Sequence, residues 1–269
     1  TSISTLDHAI FDEYRHLVSS YKMNLAKLSK EDSALLDSII YNSDLIYHVA
    51  SPVGVRHIDN DPHNSIINAH KINSTIFPLF EKHQKKVVFA STSEVYGNKS
   101  DAKETDTLQI GSTDTLRWGY ACSKLMAEFL LRSYSFPNVV VRYFNVTGLS
   151  QSAKHGMVLP SFYEKAISNE NLVVYNDGLQ SRSFCDIRDA INMTTLLGES
   201  AVHDGETYNI GNSSNIIDIK GLAKLVVEHV NPKIDIDYVS FSNVFSKNSL
   251  DINLRSPNTE KISSYYQCK

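Results

Sequence analysis

Three apolar runs of strand length, set apart by stretches long enough to be helices, limit what this chain can fold into. They are "DLIYHVA" (44–50), "KKVVFAS" (85–91) and "NVVVRYFNV" (138–146). Each is close to continuous in apolar residues, the pattern of a strand covered on both faces. "SKEDSALLDSII" precedes the first run, and its Ser29-to-Asp32 spacing resembles a capping box. "INAHKINSTIFPLFEKH" reads as a helix in which Pro78 predicts a kink or an early stop. "RWGYACSKLMAEFLLRSYS" has helical spacing that predicts Leu125, Phe129 and Leu130 facing inward, with Pro137 beyond its end. Strands joined by helical crossovers are parallel βαβ units, so the expected fold class is α/β, a doubly wound parallel sheet.

After Gly148 the texture loosens into "MVLPSFYEKAI", "NLVVYNDG", "RSFCDIRDAINMTTLLGE", "TYNIGN" and "DIKGLAKLVVEHV". The expected division is a nucleotide-binding part over 1–148 and a smaller, mainly substrate-binding lobe over 149–269, interleaved with the sheet. A length of 269 residues suits one large domain with such a lobe. A net charge of −4 with both signs interspersed offers no basic face for nucleic acid. No apolar stretch is long enough for a bilayer and no signal peptide is visible, which points to a cytoplasmic protein without a membrane partner. Cys122, Cys185 and Cys268 lie far apart, as suits a reducing compartment. The histidines, including His57, His63 and His70, form no metal-binding spacing, so no metal is expected.

Ligands of doubly wound sheets bind at the carboxyl ends of strands. One such end is "ASTSEVYG" (90–97), which gathers Ser91, Thr92, Ser93 and Glu94 into one corner. One helix later come Tyr120 and Lys124, four apart and therefore on one helical face. A tyrosine with a pKa of about 10 is a poor base at neutral pH, and a nearby ammonium lowers that value. A Tyr-Lys pair beside a strand-end hydroxyl suits removal of a proton from a sugar hydroxyl. The other reading of this pair is a core ring beside a solvated lysine.

The ordered set "HVAS", "ASTSEVYG", "YACSK", "VRYFNVTG", "VVYNDGLQSRSF" and "YNIGN" resembles the extended short-chain dehydrogenase/reductases, and more narrowly the NAD-dependent epimerase/dehydratase family. The resemblance runs from about Asp7 to the C-terminus and implies a Rossmann-like fold with NAD as cofactor. It implies that Tyr120 is the catalytic base, that Lys124 holds the nicotinamide ribose, and that Thr92 hydrogen-bonds the sugar 4-hydroxyl. Ser93 and Glu94 then stand where dehydratases of the family carry an Asp-Glu pair. Ser-Glu at this place is similar to UDP-glucuronate decarboxylases, and several epimerases share it. Asn145, Arg182 and Arg255 match residues that contact a nucleotide diphosphate, as the bidentate grip of guanidinium on phosphate allows. "HGMVLPSF", with Val158, resembles the segment around the uracil. Asp7 resembles the acid on the adenosine ribose, which favours NAD over NADP. Asn24 and Leu25 fall at the adenine, and Ala50 and Ser91 at the cofactor side of two strand ends.

The family opens with a strand and a Gly-x-x-Gly-x-x-Gly turn that holds the cofactor pyrophosphate. No glycine precedes Gly54 here. The expectation is a sequence cut from a longer enzyme rather than a natural loss, and weak NAD binding by the chain as it stands. The implied activity is a 4-epimerase acting on a nucleotide sugar, UDP-linked, through a 4-keto intermediate. UDP-glucuronate decarboxylation is the near alternative, and a non-catalytic member that binds a partner or a nucleotide sugar is another. A short-chain alcohol or steroid reductase shares the Tyr-Lys pair but fits Arg182 and Arg255 poorly. Relatives pair through helices that include the one bearing Tyr120, so a homodimer is expected.

Overall fold

The computed structural model describes residues 14–51, 61–149, 151–244 and 254–268. Asp7 and His57 lie outside them. The first half runs α1 (Lys30–Tyr41), β1 (Leu45–His48), α2 (Pro62–His83), β2 (Lys86–Thr92), α3 (Trp118–Arg132) and β3 (Asn138–Tyr143). These strands are all parallel and stand in the order β1-β2-β3, with β8 (Thr207–Ile210) added beyond β3. The expected α/β sheet is therefore present, and its fourth strand comes from the second half of the sequence.

The period of two along each strand assigns the two faces. Val87, Phe89 and Val140 pack with Ile76, Phe77 and Phe80 of α2 and Ala127 and Leu131 of α3. Val88, Val139 and Val141 point the other way, against Ala190, Met193 and Leu197 of α5 (Ile187–Glu199). Both faces of β2 and β3 are covered, which explains their unbroken apolar sequence.

Helix starts follow local chemistry. Ser29 caps α1 by accepting from the Asp32 N–H at 3.0 Å. Asp61 caps α2, where Pro62 opens the helix and gives up no needed donor. The structure departs from expectation at Pro78, because α2 continues through it to His83. Phe77 and Phe80 flank the proline and are both fully buried, and that packing holds the helix together across the missing hydrogen bond. A second departure is Phe129, predicted inward but 70% exposed. The inward face of α3 is instead built from Ala121, Lys124, Ala127, Glu128 and Leu131. Two of those five are charged, so apolarity alone misplaces the stripe.

The remaining elements form a second layer beside the sheet: β4 (Val146–Thr147), α4 (Val158–Ile167), β5 (Leu172–Tyr175), β6 (Ser181–Ser183), β7 (Cys185–Asp186), β9 (Ile216–Asp218), α6 (Ile219–Val230), β10 (Ile236–Val239), β11 (Leu254–Arg255) and α7 (Glu260–Ser263). Phe162, Leu172, Val174, Leu222 and Val226 make their own core between α4, α6 and β5. β11 pairs in parallel with β6, and the register makes Arg255 the partner of Arg182. Two arginines far apart in sequence thereby come side by side.

Candidate active site

β2 ends at Thr92, whose hydroxyl accepts from the Glu94 N–H at 3.3 Å and opens a 3-10 turn over Ser93–Tyr96. Gly97 closes that turn at φ +71°, and an added Cβ would stand 3.0 Å from the Gln109 carbonyl oxygen, so only glycine fits. The whole corner from Ser91 to Tyr96 is buried. It is not a solvated loop.

The Thr92 hydroxyl lies close enough to the Tyr120 phenol to favour its ionised form. A residue of α3 and one of β2 thus meet at the carboxyl end of the sheet. The expected lowering of the Tyr120 phenol by Lys124 is not what the structure has. Burial raises the phenol above its ordinary 10.0 and the Glu94 charge adds to it, while Thr92 and Arg255 oppose with less effect. Lys124 donates to the Ala90 carbonyl at 2.7 Å, with its ammonium 5.1 Å from the centre of the Phe89 ring. Burial brings Lys124 down to about 8 against the pull of Glu128. The lysine is perturbed more than it perturbs.

Glu94 carries the densest charge in the site. Its Oε1 lies 2.9 Å from Arg117 Nη2 and 3.2 Å from Arg255 Nη1, and Arg117 Nε reaches its other oxygen at 3.4 Å. Burial pushes this carboxyl upward, but the Arg117 and Arg255 charges outweigh it and hold it at about 2. At neutral pH Glu94 is an anion and has no proton to give. Arg255 also donates to Asn145 Oδ1 at 3.0 Å, and Asn145 donates to the Ser183 carbonyl at 3.0 Å. Asn145 sits at φ +23° just past β3, a conformation asparagine tolerates.

A cavity of about 550 Å³ opens beside this cluster, with Arg117, Asn145, Val158, Arg182, Phe184 and Arg255 among its walls. Tyr120 and Thr92 adjoin it through Glu94 and Arg255. Arg182 donates to the Ser181 carbonyl at 2.8 Å from within that wall. Ser93 is buried inside the 3-10 turn. The Ser91 hydroxyl turns away from the cleft and donates to Glu128. At the expected adenine positions, Asn24 is exposed and accepts from the Ala26 N–H, and Leu25 packs on the α1–α2 core. Ala50 is half-buried just past β1. Sequence reasoning misses Arg117. Its signal is nonetheless there: it stands three residues before Tyr120, one turn earlier on the same side of the helix start.

The model of the NAD-dependent epimerase/dehydratase family matches residues 5–211. This chain belongs to that family. A Bacillus cytotoxicus UDP-N-acetyl-alpha-D-glucosaminuronate decarboxylase is 30% identical to it over 241 residues, 88% of this chain and 74% of that one. UDP-glucuronic acid decarboxylase 2 of Arabidopsis thaliana is 30% identical over 210 residues, 76% of this chain and 46% of its own length. The chain thus spans about three quarters of the one and about half of the other. Among solved structures, a Bacillus cereus UDP-glucuronic acid 4-epimerase in complex with UDP-glucuronic acid and NAD superposes with a TM-score of 0.73 at 25% identity, covering 87% of this chain and 72% of that one.

NAD is the cofactor of this family, and the described residues fit its nicotinamide end. The Lys124 ammonium has three donors, of which the Ala90 carbonyl takes one, and it lies buried one helical turn from Tyr120. Among the described residues no helix is long and apolar enough to cross a membrane.

Proposed function

We propose that the enzyme oxidises C4 of a UDP-linked uronic acid and that loss of carbon dioxide from C5 follows. The observation that carries this is the convergence of Arg117 and Arg255 on Glu94 beside the Tyr120–Thr92 pair. Two guanidiniums gathered where the sugar would lie suit a sugar bearing its own carboxylate. The named activities of the two decarboxylase relatives support the same substrate class.

The chain's own groups divide the work. Tyr120 takes the proton of the 4-hydroxyl, and Thr92 holds that hydroxyl toward it. NAD, when bound, would supply the hydride chemistry at C4, and Lys124 would hold its nicotinamide end beside Tyr120. The resulting ketone is β to the C5 carboxylate, so the C5–C6 bond electrons pass into an enolate as carbon dioxide leaves. A proton then adds at C5, and return of the hydride to C4 with the proton from Tyr120 to O4 gives the UDP-pentose and restores the oxidised cofactor. Glu94, ionised at neutral pH, acts by charge and by orienting the two arginines rather than as an acid. Arg182 and Asn145 hold the diphosphate, Arg255 turns with Arg117 to the sugar carboxylate, and Val158 opens α4 at the nucleotide end of the cavity. Ser93 shapes the turn. We assign residues 1–148 chiefly to the cofactor and 149–269 chiefly to the substrate, with β8 and α5 returning to the sheet.

Epimerisation at C4 is the second reading, favoured by the likeness to the Bacillus cereus 4-epimerase, and it needs the same first step on the same substrate class. Incubation with UDP-glucuronate and NAD, followed by proton NMR, separates them. A UDP-pentose with carbon dioxide is the expected product, UDP-galacturonate marks the epimerase, and no change in any uronate overturns both.

A homodimer fits the surface. Cys122, Met126 and Phe129 line one exposed stripe of α3, with Ile66 of α2 next to Gly119 at its end. Phe129→Asp is expected to halve the mass seen by light scattering at micromolar concentration without lowering Tm. A mass unchanged by the substitution, or a wild-type monomer, rejects this interface.

A further inference from the structure

The last three residues of β2 are matched one by one to a single face of α3. The Ala90 carbonyl accepts from Lys124, the Ser91 hydroxyl donates to Glu128, and the Thr92 hydroxyl neighbours the Tyr120 phenol. The helical partners are spaced by four, at 120, 124 and 128, so they form one column on the inward face. Glu128 is the anionic member of that column, and it is anchored from a third element. Arg142 of β3 grips it in a two-pronged contact, Nη2 to Oε2 at 2.7 Å and Nε to Oε1 at 3.2 Å. Arg142 is also the register partner of Ser91 across the two strands. The Glu128 carboxylate therefore bridges two neighbouring strands at one level and ties both to the helix that carries Tyr120.

The rest of the network continues away from the cleft. Arg142 donates to Tyr96 at 2.8 Å, Tyr96 donates to Asn209 Oδ1 at 2.8 Å, and Asn209 donates to the Ala102 and Asn258 carbonyls. None of Glu128, Arg142 or Asn209 lines the cavity. A buried ion pair is a weak source of stability, since desolvation cancels much of the attraction. Its presence is understandable if it fixes geometry.

We propose that Glu128 is a positioning residue, which holds the Lys124 ammonium and the Ser91–Thr92 strand end in register with Tyr120. This rests on the proposed function for its purpose, though not for its test. The groups that face Lys124 are Glu128 on its own helix, the Ala90 carbonyl and Phe89 ring on β2, and His48 on β1, which is neutral at physiological pH because burial brings it down to about 4. Those facing Glu128 are Ser91, Arg142 and, on α3, Arg132. Burial favours the neutral amine and the Glu128 charge favours the ammonium, so removing that charge must move Lys124 further down.

The test is the titration of Lys124 followed by the Cε shift in chain labelled with carbon-13 lysine, the signal assigned with Lys124→Arg. In Glu128→Gln the midpoint is expected to fall by about one unit, a tenfold loss of proton affinity. Because Arg142 is then left unpaired, the double variant Glu128→Gln/Arg142→Met is measured beside it and is expected to show the same fall with a recovered Tm. A Glu128 that exerts no hold on Lys124 would lower Tm and leave the Lys124 midpoint in place, and that result in either folded variant overturns the proposal. The readout needs no turnover. A shifted Lys124 in a chain that converts no UDP-uronate would retain the positioning role and reject the proposed reaction.

Discussion

Tyr120→Phe is expected to lower kcat by a factor of about 10²–10⁴, the usual range for loss of a general base. Affinity for the nucleotide sugar should change little, because the cavity walls are contributed by Arg117, Asn145, Arg182, Arg255 and their neighbours. Stability should also change little. The ring, which supplies most of the buried surface, is kept, and only the phenol oxygen beside Thr92 is lost. Calorimetric titration with UDP and turnover of UDP-glucuronate, run on the same preparation, check both halves. The phenol's raised pKa adds a sign. Burial and the Glu94 anion both keep the proton on, so the ionised fraction at neutral pH is small and grows as pH rises. Turnover of the wild type should therefore climb through the alkaline range. Tyr120→Phe should lack that climb. A phenylalanine variant keeping a tenth or more of wild-type kcat would remove Tyr120 from the role of base.

Much of this site is legible in the sequence because its parts obey short-range rules. Thr92 and Tyr120 follow from a polar strand end and a helix one crossover later, and the parallel sheet brings them into contact. The strands themselves are visible since β2 and β3 are covered on both faces. What stays hidden depends on partners far away in sequence. Lys124 reads as a group that would lower Tyr120, but nothing local says that the Ala90 carbonyl claims it. Phe129 reads as core because it is apolar, while the inward places beside it are taken by Lys124 and Glu128. Arg182 and Arg255 can be matched as a clamp, yet their adjacency rests on the β6–β11 pairing. Nor does the sequence show that Arg255 turns to Glu94 and Asn145. The misreadings share one cause: a polar residue buried by its partner carries no signature of that partner.

Glu94→Gln should be the most destabilising change in the site. The carboxylate lies between two guanidiniums in a buried place, and its removal takes from Arg117 and Arg255 the anion they share. Breaking a buried pair in this way costs about 3–5 kcal/mol. The acid limb supplies an independent check of the same interaction. Glu94 is held at about 2 against an ordinary 4.5, the direction of a group that binds protons less readily when folded. Its contribution is therefore complete above the unfolded value and is lost as pH falls toward the folded one, about 3 kcal/mol across the window from pH 4.5 to 2. Urea unfolding of wild type and variant between pH 7 and 2 measures this directly. The wild-type curve should fall steeply below pH 4.5 and converge on the variant. Protonated Glu94 and the neutral amide of the variant present the arginines with much the same lack of charge. Added UDP-glucuronate should stabilise the variant by more than it stabilises the wild type, because the ligand's carboxylate then replaces the missing anion between the two arginines. Parallel curves with no convergence would mean that the arginines find other partners and that Glu94 is not what holds them, and the charge argument for a uronic acid substrate would go with it.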